Sequence, residues 1–240
     1  LYHQVEDYSQ AHDLASEQPE KLAELIDLWW REAEAHNVLP LDDRGRERFI
    51  DPQRPSASQD RDVYRYFPGT RPIPNPSLPR ILNCEHSLSA FITRPTDADD
   101  GLLACQGGEL AGWSLFVQGG RPHYVHNVLK MEMHELVGPA LPVGRECEVR
   151  VEYHPTEQGW GTAALLVDGV VADSSERFRI APMGYSMVQE GFCIGRGWGT
   201  PVAYEHYEGA FAFTGDIRVV ELRTDPASQV WTPRPQWSNE

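Results

Sequence analysis

Residues 113–128 read WSLFVQGGRPHYVHNV. β-branched and aromatic residues recur on both sides of the central QGGR, which is the pattern of two strands joined by a tight turn. The two glycines, Gly119 and Gly120, permit the positive φ angles that such a turn requires. The stretch therefore predicts a β-hairpin made of strands Trp113 to Val117 and His123 to Val128.

The same period of two extends through the chain beyond Ile81, with turn signals at short intervals. A second hairpin is predicted where Asp168-Gly169 separates Ala163 to Val167 from Val170 to Ala172. Further strands are predicted at Ser87 to Thr93, Gly101 to Gln106, Met131 to Leu136, Cys147 to Tyr153, Gly191 to Gly195 and Ala210 to Leu222. No helical period separates these strands, so the pattern predicts a mainly β fold, an antiparallel β-sandwich.

The first fifty residues have a different pattern and predict one amphipathic helix of four to five turns. Ser16 is the expected N-cap, and Pro19 and Glu20 suit a first turn. Leu28 and Trp30 widen the apolar face beyond that of an ordinary surface helix. We therefore expect this helix to dock on a body outside the chain. The apolar positions at helical spacing are Leu22, Leu25, Ile26, Trp29 and Ala33.

Residues 51–80 form a proline-rich segment, in which we expect a connector without regular pairing. An aromatic patch of Tyr64, Tyr66 and Phe67 indicates that this connector lies along a surface. The prolines are Pro52, Pro55, Pro68, Pro72, Pro74, Pro76 and Pro79.

The charge of the chain argues against two classes of partner. A formal net charge of -15 would repel phosphate backbones and anionic lipid surfaces, so neither nucleic acid nor a membrane is expected as a partner. No apolar run approaches the ~20 residues that span a bilayer. A soluble, cytoplasmic protein is expected, although an export signal of a longer parent would lie upstream of Leu1.

The four cysteines, Cys84, Cys105, Cys147 and Cys193, are widely spaced and contain no C-x-x-C pair. Neither a zinc cage nor a dense disulfide framework is therefore indicated. Free thiols packed in strands are expected.

Two sets of segments resemble a bacterial family of arylsulfatases. The first set reads VEDYSQAHDL at 5–14, PEKL at 19–22, LWWREA at 28–33 and NVLPLDDR at 37–44. It resembles the end of a sulfatase catalytic region. The second set reads GG at 107–108, GWSL at 112–115, NVL at 127–129, VDG at 167–169 and FAFTG at 211–215. It is similar to the concanavalin-like jelly-roll domain that follows the catalytic part in longer members.

The resemblance implies that the chain has four segments and that its jelly roll supports a catalytic domain. Residues 1–50 would be the helical tail of the catalytic domain, 51–80 the connector, 81–224 the jelly roll and 225–240 a C-terminal tail. The jelly roll would pack on the upstream sulfatase catalytic domain, its partner, and support it. The intact enzyme would hydrolyse sulfate esters with a divalent metal (Ca or Mg) and a formylglycine.

The catalytic motif of such sulfatases is absent from this sequence. Formylglycine forms from the cysteine of C-x-[P/S]-x-R, and none of the four cysteines stands in that context. We therefore assign no catalytic, cofactor-binding or metal-binding residue to this chain, and expect the nucleophile upstream of Leu1.

Three other groups of residues indicate a functional site less strongly. His123, His126 and His134 invite a metal hypothesis, but an offset of three places His123 and His126 on opposite faces of a strand. A glycosidase would need two carboxylates on one strand face, and no E-x-D-x-x-E run is present. The run Gly195 to Gly199 lacks a phosphate-binding order and predicts a loop.

Carbohydrate binding is the alternative function. Aromatic side chains stack on sugar rings, and four of them lie near predicted turns, although large aromatics more often pack in a core. A lectin should expose a groove lined by aromatic and polar groups, whereas a supporting domain should have a filled sheet face. The candidate contacts are Trp160, Trp198, Tyr204 and Tyr207.

Overall fold

The computed structural model describes residues 1–41, 61–79, 81–180, 184–185 and 190–228. The chain divides into two compact units, 1–54 and 55–240. Expectations for residues 42–60, for Arg80 and for the tail beyond Ser228 lie outside the described residues.

The first unit contains helix α1, Pro19–Ala35, which confirms the predicted helix. Its start differs from the expectation, because Gln18 and not Ser16 is the N-cap residue. The backbone N–H groups of Glu17 and Gln18 both bond to the Leu14 carbonyl, so residues 14–18 form a turn before Pro19 sets the first helical φ.

The apolar face of α1 is largely exposed. Only Ala33 is buried, whereas Trp29 and Trp30 are 43% and 52% exposed. Their rings pack edge to face with centroids 4.8 Å apart. Leu25, Ile26 and Leu28 are also exposed.

The second unit is a sandwich of two antiparallel sheets, which confirms the predicted fold class. The strands are β1 Val63–Tyr66, β2 Glu85–Thr93, β3 Gly101–Gly108, β4 Ala111–Gln118, β5 Arg121–Val128, β6 Glu132–Val137, β7 Glu146–Glu157, β8 Trp160–Val167, β9 Val170–Ser174, β10 Phe178–Arg179, β11 Phe192–Ile194 and β12 Asp216–Asp225. One sheet has seven strands in the order β1-β12-β2-β7-β8-β10, with β9 also pairing with β8, and the other has the order β11-β3-β4-β5-β6.

Both predicted hairpins are present. Gly119 and Gly120 join β4 to β5 with φ angles of 57° and 71°, and Asp168 and Gly169 join β8 to β9 with 48° and 78°. Positive φ at both central residues is the turn geometry that matches strand twist. The remaining predicted strands correspond to β2, β3, β6, β7, β11 and the later part of the Ala210 to Leu222 segment.

Two strand predictions need correction. Residues Val63–Tyr66, assigned to an unpaired connector, form β1 and pair with Val220 to Arg223 of β12. None of these four residues is a proline, so no backbone N–H group is missing from this part of the ladder. Conversely, β12 begins at Asp216 and not at Ala210, because the preceding residues bond to the start of β3 in the other sheet, where Ala212 makes an isolated bridge to Leu102.

The main core lies between the two sheets. Alternate residues of β4, among them Trp113 and Leu115, face alternate residues of β2 and β7, such as Ile92 and Val149. Tyr64 and Tyr66 of the former connector pack against this core, as expected for an aromatic patch lying along a surface. Among the described residues, no helix is long and apolar enough to cross a bilayer.

All four cysteines are buried, and none of them forms a disulfide bond. Cys105, Cys147 and Cys193 lie in strands β3, β7 and β11, as expected. Cys84 departs from the expectation, since it lies in the loop just before β2.

Candidate functional site

The outer face of the five-stranded sheet is covered by the segment that joins β11 to β12. We call this segment, residues 195–215, the covering loop. Val202, Ala203 and Tyr207 of the loop are buried against Phe116 and Val125 of the sheet, which makes a second apolar cluster. This part of the face is therefore filled and is not an open groove.

Polar side chains of the sheet fix the covering loop. The Asn127 side-chain amide donates to the Val202 carbonyl at 3.2 Å, and the Gln118 amide donates to the His206 carbonyl at 3.0 Å. The hydroxyl groups of Ser114 and Tyr207 are 2.8 Å apart. These buried bonds hold the loop at a defined height above the sheet.

A cavity of about 220 Å³ lies beside the covering loop and opens to solvent. Trp198, Glu190 and Thr200 contribute its larger polar and aromatic side chains. Much of the remaining wall is glycine, which leaves backbone accessible to a ligand. The other lining residues are Pro72, Cys105, Gly107, Gly191, Cys193, Gly197, Gly199, Pro201, Tyr207 and Gly209.

Glu190 is held in one position at this cavity. Its Oε1 accepts hydrogen bonds from the Thr200 backbone N–H at 3.1 Å and from the Thr200 hydroxyl. A Cβ added to Gly108 would lie 2.0 Å from Glu190 Oε2, so the carboxylate packs directly on that glycine. Within the described residues, Oε2 accepts no hydrogen bond, and this oxygen remains an acceptor.

Trp198 presents a large aromatic surface at the cavity. Its side chain is 55% exposed, and the Arg196 guanidinium lies 4.9 Å from the ring centroid. One ring face thus carries a cation, which leaves the other face for a ligand. An exposed tryptophan held this way is pre-positioned for stacking.

Two cysteines line the inner wall. The Cys105 thiol donates a hydrogen bond to Cys193, which holds the pKa of Cys193 below its usual value and raises the pKa of Cys105. Tyr207 beside them is buried, and this burial raises the pKa of its phenol. The inner wall therefore consists of two thiol groups and a phenol group.

The structure brings together two of the four predicted aromatic contacts. Trp198 and Tyr207 line the same cavity, but the Tyr207 ring stacks on Phe211 at 4.7 Å and belongs to the loop's own packing. Tyr204 lies outside the cavity wall, with Lys130 Nζ 4.5 Å from its ring centroid.

Trp160 lies in the other sheet, at the start of β8. The guanidinium carbons of Arg177 and Arg179 are 4.6 and 5.1 Å from its ring centroid. It is therefore covered by cations and separate from Trp198.

Sequence reasoning missed Glu190 and Thr200. Neither belongs to a motif, because Glu190 precedes β11 and Thr200 follows it within the covering loop. The glycines at two-residue spacing from Gly195 to Gly199 were the available signal, since they permit the loop to approach Glu190 closely.

The predicted separation of the histidines is confirmed. His126 is 1% exposed in the core between the sheets, while His123 lies on the outer face with its side chain 14% exposed. A different set assembles there: ligand atoms of His123, Glu135 and His206 all lie within 4.8 Å of one another. The sequence did not indicate it, because His206 arrives from the covering loop.

The outer face of the seven-stranded sheet carries charges that pair with each other. Arg150 bonds Glu148 at 2.8 Å and Glu152 at 3.3 Å, and Arg65 bonds Glu221 at 2.9 Å. Such a paired, solvated surface is typical of the exposed face of an antiparallel sheet. The cavity at Trp198 is therefore a stronger candidate for a ligand-binding site than this sheet face.

The described fold and cavity define an antiparallel β-sandwich with a loop-covered sheet. No family model matches the sequence, and no curated protein matches it either. Among solved structures, the chain is similar to the carbohydrate-binding module CBM40 of a Ruminococcus gnavus sialidase, with 14% identity and a TM-score of 0.46 over 62% of this chain and 85% of that one.

Two further similarities are weaker. The botulinum neurotoxin type G receptor-binding domain gives 8% identity and a TM-score of 0.37 over 60% of this chain and 36% of that one. A putative carbohydrate-binding protein of Bacteroides ovatus gives 16% and 0.41 over 69% of this chain and 42% of that one. The chain thus spans less than half of each of these two proteins. At such scores the likeness carries no argument about function, and nothing in it supports the sulfatase resemblance.

Proposed function

We propose that the β-sandwich binds a neutral carbohydrate in the Trp198 cavity. The observation that carries this proposal is a 55% exposed tryptophan at a cavity that also contains a fixed carboxylate and a hydroxyl group. An aromatic ring packs against the apolar face of a sugar, while a carboxylate oxygen accepts bonds from its hydroxyl groups.

The charge and the size of the cavity indicate which kind of sugar could bind. Glu190 and a net charge of -15 would repel a sulfated or carboxylated glycan, so a neutral sugar is favoured. A volume of about 220 Å³ lies below the range of about 300–1,000 Å³ that is usual for small-molecule sites. We therefore expect one sugar ring, such as the end of a glycan, to enter.

Each contact has an assigned role. Trp198 provides the stacking surface, and Glu190 Oε2 accepts from sugar hydroxyl groups. Thr200 orients Glu190 through its backbone N–H and its hydroxyl group. Because Glu190 is already fixed, little conformational entropy is lost when a ligand binds.

The test is a glycan array with the full chain of 240 residues, followed by calorimetry with each neutral sugar that binds. Trp198→Ala should weaken binding about tenfold, as expected for one lost aromatic contact. Trp30→Ala is the matched control, since Trp30 is 52% exposed on α1 and should leave affinity unchanged. Glu190→Gln should weaken binding severalfold.

Two results would contradict this proposal. One is the absence of saturable binding to any neutral glycan. The other is binding that Trp198→Ala does not weaken while the variant remains folded.

A second proposal follows from the N-terminal unit: α1 docks on a separate body, which the family resemblance identifies as a sulfatase catalytic domain. It is supported by the exposed apolar side chains of α1, Trp29 and Trp30 above all. A contiguous exposed apolar surface of this kind is typical of an interaction site. The filled outer face of the five-stranded sheet is also what a supporting domain would present.

This second proposal has its own tests. Residues 1–44 expressed alone should be unfolded or self-associating, and a monomeric peptide that melts cooperatively would contradict it. The coding sequence upstream of Leu1 should contain C-x-[P/S]-x-R, and a reading frame without that motif would rule out the sulfatase origin.

A further inference from the structure

Three side chains with metal-binding atoms meet at the outer face of the five-stranded sheet. His123 comes from β5, Glu135 from β6 and His206 from the covering loop. Glu135 Oε1 lies 2.7 Å from His123 Nδ1 and 3.5 Å from His206 Nε2. The three ligand atoms lie within 4.8 Å of one another. Residues far apart in sequence thus present two imidazole nitrogens and a carboxylate to one point.

The two imidazole rings are held in place by packing. Phe116 stacks on the His123 ring with centroids 5.1 Å apart and planes 9° apart, and it contacts the His206 ring at 5.4 Å. The His206 backbone is fixed by its carbonyl, which accepts from Gln118, and by its N–H, which donates to Ala203. The nitrogens are therefore pre-oriented, as a metal site requires.

The charge balance favours a cation. Within the described residues, the ion-pair partners of Glu135 are only His123 and His206, and neither lysine nor arginine neutralises its carboxylate. Imidazole binds metal ions in its neutral form, so the negative charge at the site would come from the Glu135 carboxylate. Its side chains are 14%, 35% and 21% exposed for His123, Glu135 and His206, so an ion can enter from solvent.

We propose that His123, Glu135 and His206 bind a divalent transition-metal ion such as Zn²⁺. Imidazole and carboxylate are ligands of zinc at about 2.0–2.2 Å, which places tetrahedral ligand atoms about 3.3 Å apart. The 3.5 Å separation of Glu135 and His206 already fits, and the 2.7 Å contact between Glu135 and His123 would widen as the ion replaces the proton between them, which moves to His123 Nε2. One position remains for water.

Bound metal would connect the covering loop to two strands. His206 belongs to the loop, while His123 and Glu135 belong to neighbouring strands of the sheet. The ion would thus stabilise the folded loop, and this stabilisation does not depend on whether the Trp198 cavity binds sugar. Free energy gained on binding adds to folding stability, so unfolding reports the ion directly.

The test uses the full chain stripped with EDTA and without a histidine tag. Calorimetry with ZnCl₂ should give one site per chain, and the melting temperature should rise with Zn²⁺ concentration. Co²⁺ should give the visible absorption of a low-symmetry, nitrogen-bound site. His206→Ala and Glu135→Gln should each weaken Zn²⁺ binding at least about tenfold, since even loss of a residue that only orients a ligand has an effect of that size.

His134→Ala is the matched control, because His134 lies on the same strand as Glu135, has a side chain that is 35% exposed and bonds Glu132 instead. It should bind Zn²⁺ as the unchanged protein does. If His206→Ala fails to fold, Glu135→Gln decides, since glutamine preserves the shape of the side chain. A melting temperature independent of Zn²⁺, or binding that survives Glu135→Gln, would overturn the proposal and leave these contacts as hydrogen bonds that fix the loop.

Discussion

Cys105 and Cys193 lie directly opposite each other on β3 and β11. They occupy a hydrogen-bonded pair of the ladder, because Gly107 N bonds Gly191 O and Gly195 N bonds Leu103 O two positions to either side. In such a pair the Cα atoms are about 5.5 Å apart, within the range that a disulfide spans. Both residues also line the Trp198 cavity, which gives a small oxidant access to them.

We expect diamide to convert this pair to an intramolecular disulfide. The Cys193 sulfur, whose pKa is lowered, adds to the N=N bond of diamide, and the Cys105 sulfur then attacks Cys193 Sγ, which forms the S–S bond and releases diamide reduced to the hydrazine. Intact-mass and peptide mass spectrometry should show a Cys105–Cys193 bond. Cys147 serves as the internal control, because burial raises its pKa to about 11 and it should stay reduced. Retention of both thiols after oxidation would contradict this prediction.

Arg94 should be among the strongest stabilising residues of the sandwich. Its buried guanidinium donates to the carbonyl groups of Asp99 at 2.8 Å and Leu141 at 3.3 Å, and also to that of Asp97. Arg94→Met leaves these acceptors without partners and should lower the free energy of unfolding by at least about 3 kcal/mol. Urea unfolding measures this loss.

The matched control is Arg65→Met on β1. The Arg65 side chain is 61% exposed and pairs with Glu221, so its loss should change stability by less than about 1 kcal/mol. A loss of less than about 1 kcal/mol for Arg94→Met as well would show that the Arg94 bonds stabilise the fold no more than an exposed ion pair does.

Gly107→Ala should be severely destabilising, by more than about 3 kcal/mol. Gly107 has a φ of +94°, and an added Cβ would lie 1.8 Å from the Tyr185 carbonyl oxygen. Gly119→Ala is the comparison, since its φ of +57° is also positive but nothing lies within 4 Å of the added Cβ. It should lose only about 1 kcal/mol. Similar melting temperatures for the two variants would contradict this close approach.

His126 should make stability depend on pH. Burial, with smaller contributions from His134 and His86, lowers its pKa from 6.5 to about 3. As pH falls below 6.5, the unfolded chain takes up a proton that the folded protein excludes until about pH 3. The free energy of unfolding therefore falls with decreasing pH across this window, by up to about 1.4 kcal/mol per pH unit from this residue.

His126→Gln removes this titration while keeping a neutral polar side chain. Urea unfolding of both proteins at several pH values should show the steeper loss in the unchanged protein between about pH 6 and pH 5. If the free energy of unfolding changed with pH in the same way for both proteins, His126 would have to become protonated in the folded state.

The sequence by itself determined the fold class and most strands, because these depend on interactions between residues close in the chain. Gly119-Gly120 and Asp168-Gly169 allow positive φ wherever they occur, and the period of two around them selects one face of a strand. The alternation of side chains along a strand also correctly predicted that His123 and His126 lie on opposite faces of the sheet. Local signals also located α1, although Pro19 and not Ser16 decided where it begins.

Only the tertiary structure decided which distant residues meet. β1 forms within a proline-rich stretch because it pairs with β12. Residues 210–215 are not part of β12, because they bond to the start of β3 in the opposite sheet. The covering loop brings Trp198 and Thr200 to Glu190, and His206 to Glu135. Burial of the loop's apolar residues against Phe116 and Val125 positions these groups, and such long-range packing leaves no periodic pattern in the sequence.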